Sequence, residues 1–129
     1  MRECTNGGDF AELLKLDLGL NIQVISAQEE ARLIYLAVRQ AVDMTNQPVL
    51  VVDIGGGSAE VIVGTADKPL FLQSRKLGAS RLSQQFVHSD PVSRKDLKEL
   101  EAHLHATLKP LMAQIRAMGV TRVIGTSGT

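Results

Sequence analysis

Residues Val49 to Gly64 read VLVVDIGGGSAEVIVG, and the reading of this stretch decides the fold. Val49 to Val52 is wholly apolar and β-branched at three of four positions, which favours a buried strand over a helix. Asp53 closes the run, Gly55, Gly56, Gly57 and Ser58 follow, and Val61 to Val63 opens a second apolar segment. Glycines reach φ > 0 at little cost and carry no Cβ, so their N–H groups can come close to an anion. A carboxylate at the mouth of such a loop repels a bare phosphate but can hold a cation that bridges to one. Two readings stand side by side: a phosphate-and-metal corner, or a glycine-rich hairpin turn capped by Asp53. The loop is not a Walker A, because no Gly-Lys-Ser/Thr follows the glycines. Nor is it the dinucleotide fingerprint, because it leads into another strand rather than a helix.

Upstream of this stretch, Ser26 opens the helix SAQEEARLIYLAVRQAVDM. Ser26 and Glu29 have capping-box spacing, which gives Glu29 a structural role. At about 100° per residue, Ala31, Ile34, Ala37, Val38 and Ala41 form an apolar stripe that contains Glu30 and excludes Glu29. A carboxylate on the packed side is costly unless it is paired, hydrogen-bonded or facing a cleft. Glu30 is therefore either a side chain stabilised by the helix N-terminus and a nearby cation, or a general base lining a cleft. Asn21 to Ile25 alternates as a short strand, and Asp9 is positioned to cap a short helix from Phe10 to Leu16.

Downstream, Glu60 follows Ser58 by two residues, so in an extended segment the two side chains share a face. Leu70 to Leu77 reads as a third strand and Ala79 to Val87 as a short helix. Ser93 and Asp96 open a long helix whose apolar residues keep helical spacing to Gly119, with Pro110 expected to kink or split it. His103 and His105 are two apart and face different sides, which argues against a shared metal. Thr121 to Ile124 is a last strand, followed by Gly-Thr-Ser-Gly-Thr, a loop type that can also approach phosphate or ribose. Strand, strand, strand, helix, helix, strand implies an antiparallel start, with the last strand returning parallel through a helical crossover. The class is α/β.

Composition narrows the function. The chain has 129 residues, enough for one domain or pieces of two, and 44% apolar with 22% charged residues is ordinary for a globular protein. Basic and acidic residues balance at 14 each, so no global field draws in nucleic acid or an anionic membrane. Aromatics are only 3%, which leaves no stacking platform for single-stranded nucleic acid. No apolar run is long enough to span a bilayer, and the single Cys4 cannot form an internal disulfide. The expected location is the cytoplasm.

The segments VISAQEEARLIYLAV, DIGGGSAE, RKLGASRLSQQF and VIGTSGT, in this order, resemble the exopolyphosphatase / guanosine pentaphosphate phosphatase family. RECTNGGDF at the start is similar to that family's Arg-Glu-Ala-x-Asn-Gly-x-x-Phe segment. The resemblance implies the ribonuclease-H-like fold shared with actin, Hsp70 chaperones and sugar kinases. It implies that Glu30 is the catalytic glutamate acting on the attacking water, and that Asp53 and Glu60 belong to a Mg²⁺ site. Gly55, Gly56, Gly57 and Ser58 then form a phosphate loop, and Arg2 contacts phosphate. Ala59 departs from the family's usual Thr and removes one loop hydroxyl.

The family's first phosphate loop, Asp-x-Gly-Ser-Asn-Ser, does not occur in this sequence. The chain is therefore expected to be a fragment: residues 1–45 from the tail of the first lobe, residues 46–129 from the front of the second. The implied partner is polyphosphate or guanosine pentaphosphate, with no membrane and no specific nucleic acid. A homodimer is expected for the full-length parent. Three functions follow: release of terminal orthophosphate from polyphosphate, phosphatase action on guanosine pentaphosphate, or a non-catalytic phosphate-binding or partner-binding role for the fragment alone.

Overall fold

The computed structural model describes residues 4–44 and 46–128. Its sheet is built from β1 (Val49–Ile54), β2 (Ala59–Gly64), β3 (Pro69–Arg75) and β4 (Arg122–Ser127), in the order β3-β2-β1-β4. The first three strands are antiparallel neighbours, and β4 lies parallel to β1. That parallel return uses α3 (Ala79–Phe86) and α4 (Arg94–Ala117) as its crossover, as the element order implied. Two further helices, α1 (Gly7–Leu18) and α2 (Ala27–Ala41), precede the sheet.

The sheet is covered on both faces, and the two-residue period of the strands sorts its side chains between them. Val49, Val51 and Ile62 pack with Ala31, Tyr35 and Val38 of α2 on one face. Leu50, Val61 and Val63 pack with Leu111 and Ile115 of α4 on the other. The result is a three-layer α/β arrangement. At the far end of β2, a Cβ on Gly64 would lie 2.5 Å from the Tyr35 ring, so glycine is what lets α2 approach the sheet. The Tyr35 hydroxyl donates to the Thr65 carbonyl at 2.8 Å just beyond it. No helix among the described residues is long and apolar enough to cross a membrane.

Several local expectations are corrected. Asn21 to Ile25 forms no strand and is not part of the four-stranded sheet. The first helix begins at Gly7, with Asn6 rather than Asp9 at its N-cap; Asp9 sits in the first turn, where a negative charge suits the helix end. Pro110 neither ends nor splits α4. Pro110 and Ala106, whose carbonyl it leaves without a helical donor, are both exposed, so water can replace the missing bond. The buried side of α2 runs through Ala31, Tyr35 and Val38, with Ala37 and Ala41 exposed, so the stripe is rotated from its simple helical-wheel position.

Candidate functional site

At one end of the sheet the face covered by α2 changes from apolar to polar. Asp53 of β1 is in register with Glu60 of β2 and with Thr126 of β4, and Glu60 with Ser74 of β3. These four residues form one row across all four strands, continuing the face that carries Val51 and Ile62. The Ser74 hydroxyl donates to Glu60 Oε1 at 2.7 Å, and the Thr126 hydroxyl donates to Asp53 Oδ1. Glu60 is only 1% exposed, yet among the described residues no cationic side chain pairs with it or with Asp53. Burying a carboxylate with a single hydroxyl donor is costly, and a cation at the paired carboxylates would relieve the cost.

Between β1 and β2 lies the loop Gly55–Ser58, closed by the Gly55 N–H donating to the Ser58 carbonyl at 3.0 Å. Its glycines do not use positive φ; among the described residues only Gly19 and Gly119 do. A Cβ would be tight at Gly55, 3.3 Å from the Ser58 carbonyl oxygen, and at Gly56, 3.3 Å from Ser80 Oγ. The first turn of α3 presses on the loop so closely that a Cβ on Gly78 would fall 2.4 Å from backbone atoms of Gly56 and Gly57. Ala79 N–H donates to the Gly55 carbonyl at 2.8 Å, and Arg81 N–H to the Gly56 carbonyl at 3.1 Å. Arg81 Nε donates to the Gly57 carbonyl at 2.9 Å. Among the described residues, the N–H groups of Gly56, Gly57 and Ser58 have no acceptor. A Cβ on Gly57 would meet no protein atom within 4 Å, so the fold itself does not demand glycine there.

Opposite the loop stands the first turn of α2. Ser26 caps it, its hydroxyl accepting from Glu29 N–H at 3.0 Å, which is the expected half of the capping box. The Glu29 carboxylate does not return the bond; it takes two from Arg32, at 2.7 and 2.8 Å. The Arg32 guanidinium holds the Glu29 carboxyl below its ordinary value. Glu30 lies elsewhere, on the wall of a cleft of about 680 Å³ that also contains Asp53, Gly55, Gly56, Gly57, Ser58 and Glu60.

The structure thus gathers Glu30, Asp53, Glu60 and the glycine loop into one cleft, while Arg2 lies outside the described residues. Sequence reasoning missed Ser74, Arg75, Lys76 and Arg81 on its walls; Thr126 beside it stands in the Gly-Thr-Ser-Gly-Thr stretch expected as a loop after the last strand, of which residues up to Ser127 instead belong to β4. The basic residues stand in RKLGASRL, already singled out as a block but with no role given to its charges. The described residues hold no group of three or more His, Cys, Asp or Glu able to enclose an ion. Asp53 and Glu60 instead offer two hard carboxylates on an open cleft, the kind of donor set that suits Mg²⁺, which keeps waters and shares phosphate oxygens.

A mixed sheet of this order, with a glycine loop between its first two strands and a helix covering the polar row, is part of a ribonuclease-H-like, actin-like fold. The model of the Ppx/GppA phosphatase family matches residues 1–129, and the chain belongs to that family. An exopolyphosphatase from Cytophaga hutchinsonii is similar at 34% identity and a TM-score of 0.91, over 98% of this chain and 41% of that one. The Aquifex aeolicus member of the Ppx/GppA family is similar at 32% identity and a TM-score of 0.71, over 85% of this chain and 36% of that one. The chain therefore spans about two fifths of the length of these relatives.

Proposed function

We propose that this chain supplies one wall of the active site of a phosphoanhydride hydrolase that releases terminal orthophosphate from inorganic polyphosphate. The observation that carries the reading is the shared cleft: two register-paired carboxylates, three unpartnered loop N–H groups and Glu30 line one volume. The N–H groups of Gly56, Gly57 and Ser58 would hold oxygens of the terminal phosphoryl group. Glu30 would orient a water and take its proton as the water oxygen bonds to phosphorus and the bridging P–O bond breaks. The shortened polyphosphate leaves with the bridging oxygen. Asp53 and Glu60 would hold Mg²⁺, which when bound neutralises charge on the phosphoryl oxygens. Arg75 and Lys76 add positive charge to the same wall, as a polyanionic substrate requires. Polyphosphate is preferred because the relative from Cytophaga hutchinsonii is an exopolyphosphatase.

Phosphate release from polyphosphate and from guanosine pentaphosphate, assayed side by side on the protein carrying this chain, tests the reading. Release from polyphosphate is the expected result. Release from the nucleotide alone would move the substrate assignment, and release from neither would leave a phosphate-binding role.

A further inference from the structure

The loop N–H groups do not aim themselves. Three consecutive carbonyls, those of Gly55, Gly56 and Gly57, are each held by a donor from the first turn of α3, and two of the three donors belong to Arg81. The only cis peptide among the described residues is Asp90–Pro91, so the loop peptides are trans. In a trans peptide the C=O and the next N–H point in opposite directions. Fixing the carbonyls of Gly55, Gly56 and Gly57 on α3 therefore turns the N–H groups of Gly56, Gly57 and Ser58 away from it. Those are the three that have no acceptor among the described residues. The first-turn N–H groups of a helix lack partners within it, and here two of them are taken up by the loop. The first two loop peptides thus bridge the positive end of α3, and the third the Arg81 guanidinium, to whatever their own N–H groups meet, and hydrogen bonds in such a chain polarise one another.

We propose that Arg81 is a positioning residue for the glycine loop, acting through the carbonyls of Gly56 and Gly57 rather than by contact with the substrate. The proposal rests on the phosphohydrolase reading for its ligand, but not for its geometry. A guanidinium donor on a carbonyl makes a stronger bond than a neutral one, which suits a loop that must not relax when an anion arrives. Gly78 serves the same end, since any side chain there would push Gly56 and Gly57 off the helix.

The test uses three substitutions that separate the Nε donor from the charge. Gln places its amide nitrogen at the same distance along the side chain as Arg Nε, but is neutral; Lys keeps the charge and carries it past that point; Ala removes both. In the isotopically labelled chain without ligand, Arg81→Ala is expected to shift the Gly57 carbonyl and Ser58 amide resonances, and Arg81→Gln to leave them nearly in place. Titrated with inorganic tripolyphosphate, Arg81→Ala is expected to raise Kd about tenfold. Arg81→Gln should recover most of that loss, and more of it than Arg81→Lys. Unmoved Gly57 and Ser58 resonances in Arg81→Ala would overturn the clamp. So would a Kd for Arg81→Gln that matches Ala while Arg81→Lys matches the unsubstituted chain, since Arg81 would then act as a charge on the anion. Failure of the unsubstituted chain to bind tripolyphosphate would count against the polyphosphate reading, and the ligand-free resonances would still decide the clamp.

Discussion

The two faces of the sheet are made by the same strands and do opposite things. The α4 face is apolar along β1, β2 and β3, where Leu50, Val61, Val63 and Phe71 meet Leu108, Leu111, Met112 and Ile115. The α2 face starts the same way, with Val49, Val51 and Ile62, and then carries Ser74, Glu60, Asp53 and Thr126 in one row. Because neighbouring residues on a strand point to opposite faces, hydrophobic packing and a carboxylate pair coexist within six-residue strands. Both faces hold a buried apolar core, and the costly polar cluster is confined to one end of the α2 face. Substitutions in the apolar packing and in the polar row should therefore separate into losses of stability and losses of phosphate chemistry.

The largest effect is expected on the apolar face. Leu111 is 2% exposed and central to that core, so Leu111→Ala should cost about 2–5 kcal/mol of unfolding free energy. Urea unfolding measures it, and the tripolyphosphate Kd of the folded chain should not move. A changed Kd at matched folding would mean that the faces are coupled through the sheet.

The next largest belongs to the polar face. Glu30→Gln keeps size and one oxygen but cannot take a proton, so turnover of the active protein should fall on the order of 100-fold with little change in substrate binding. Asp53→Asn should act through the cation, on the order of tenfold, and rising Mg²⁺ should partly restore it. Steady-state kinetics across a Mg²⁺ series separates the two. If Glu30→Gln responded to Mg²⁺ as Asp53→Asn does, the assignment of Glu30 to the water would fail.

The short apolar runs on either side of the glycines made β1 and β2 readable from the sequence, and the capping box made the start of α2 readable. Ser74 and Thr126 were not, because only the register of β3 and β4 sets them beside those carboxylates. Arg81 lies in a segment already singled out, but its acceptor is 24 residues earlier in the chain, a contact that local pattern cannot reveal. The loop glycines were read for positive φ as well as for the missing Cβ; none uses positive φ, and the strictest demand for space falls on Gly78, which depends on what packs against it. In α2 the exposed Ala37 and buried Tyr35 reverse a simple hydropathy ranking. A tyrosine whose hydroxyl reaches the Thr65 carbonyl is satisfied inside, whereas alanine has little surface to gain by burial.

A smaller effect, confined to acid pH, is expected away from both faces, where α4 begins. Asp96 is buried and accepts from the His88 backbone N–H at 3.2 Å, with the His88 ring nitrogen Nδ1 also 3.2 Å away. The His88 backbone N–H is the main cause holding the Asp96 carboxyl below its ordinary value. A carboxyl lowered on folding stabilises the fold above its unfolded-state pKa, and that contribution is lost as pH falls through the folded-state value. Asp96→Asn should therefore flatten the decline in stability below about pH 4, while the pH dependence of phosphate binding stays as it was. Thermal unfolding followed between neutral and acid pH checks it, and an unchanged acid limb would remove Asp96 from the account.

The smallest effect sharpens the comparison most, because it falls one residue from one of the largest. Glu29 and Glu30 share the first turn of α2, but Glu29 is bound by Arg32 at 2.7 and 2.8 Å and does not line the cleft. The cap uses the Glu29 backbone N–H, which substitution leaves in place, so Glu29→Gln loses only an exposed ion pair. Such pairs contribute little once solvent screens them, and turnover should stay within about twofold of the unsubstituted protein. Parallel kinetics on the two glutamine variants makes each the control for the other. Both keep the helix, the cap and side-chain volume, so only the direction in which the carboxylate points differs. A greater loss of turnover in Glu29→Gln would shift the water-handling carboxylate by one residue, onto the outer side of α2. The polar row of the sheet would then have lost its helical partner.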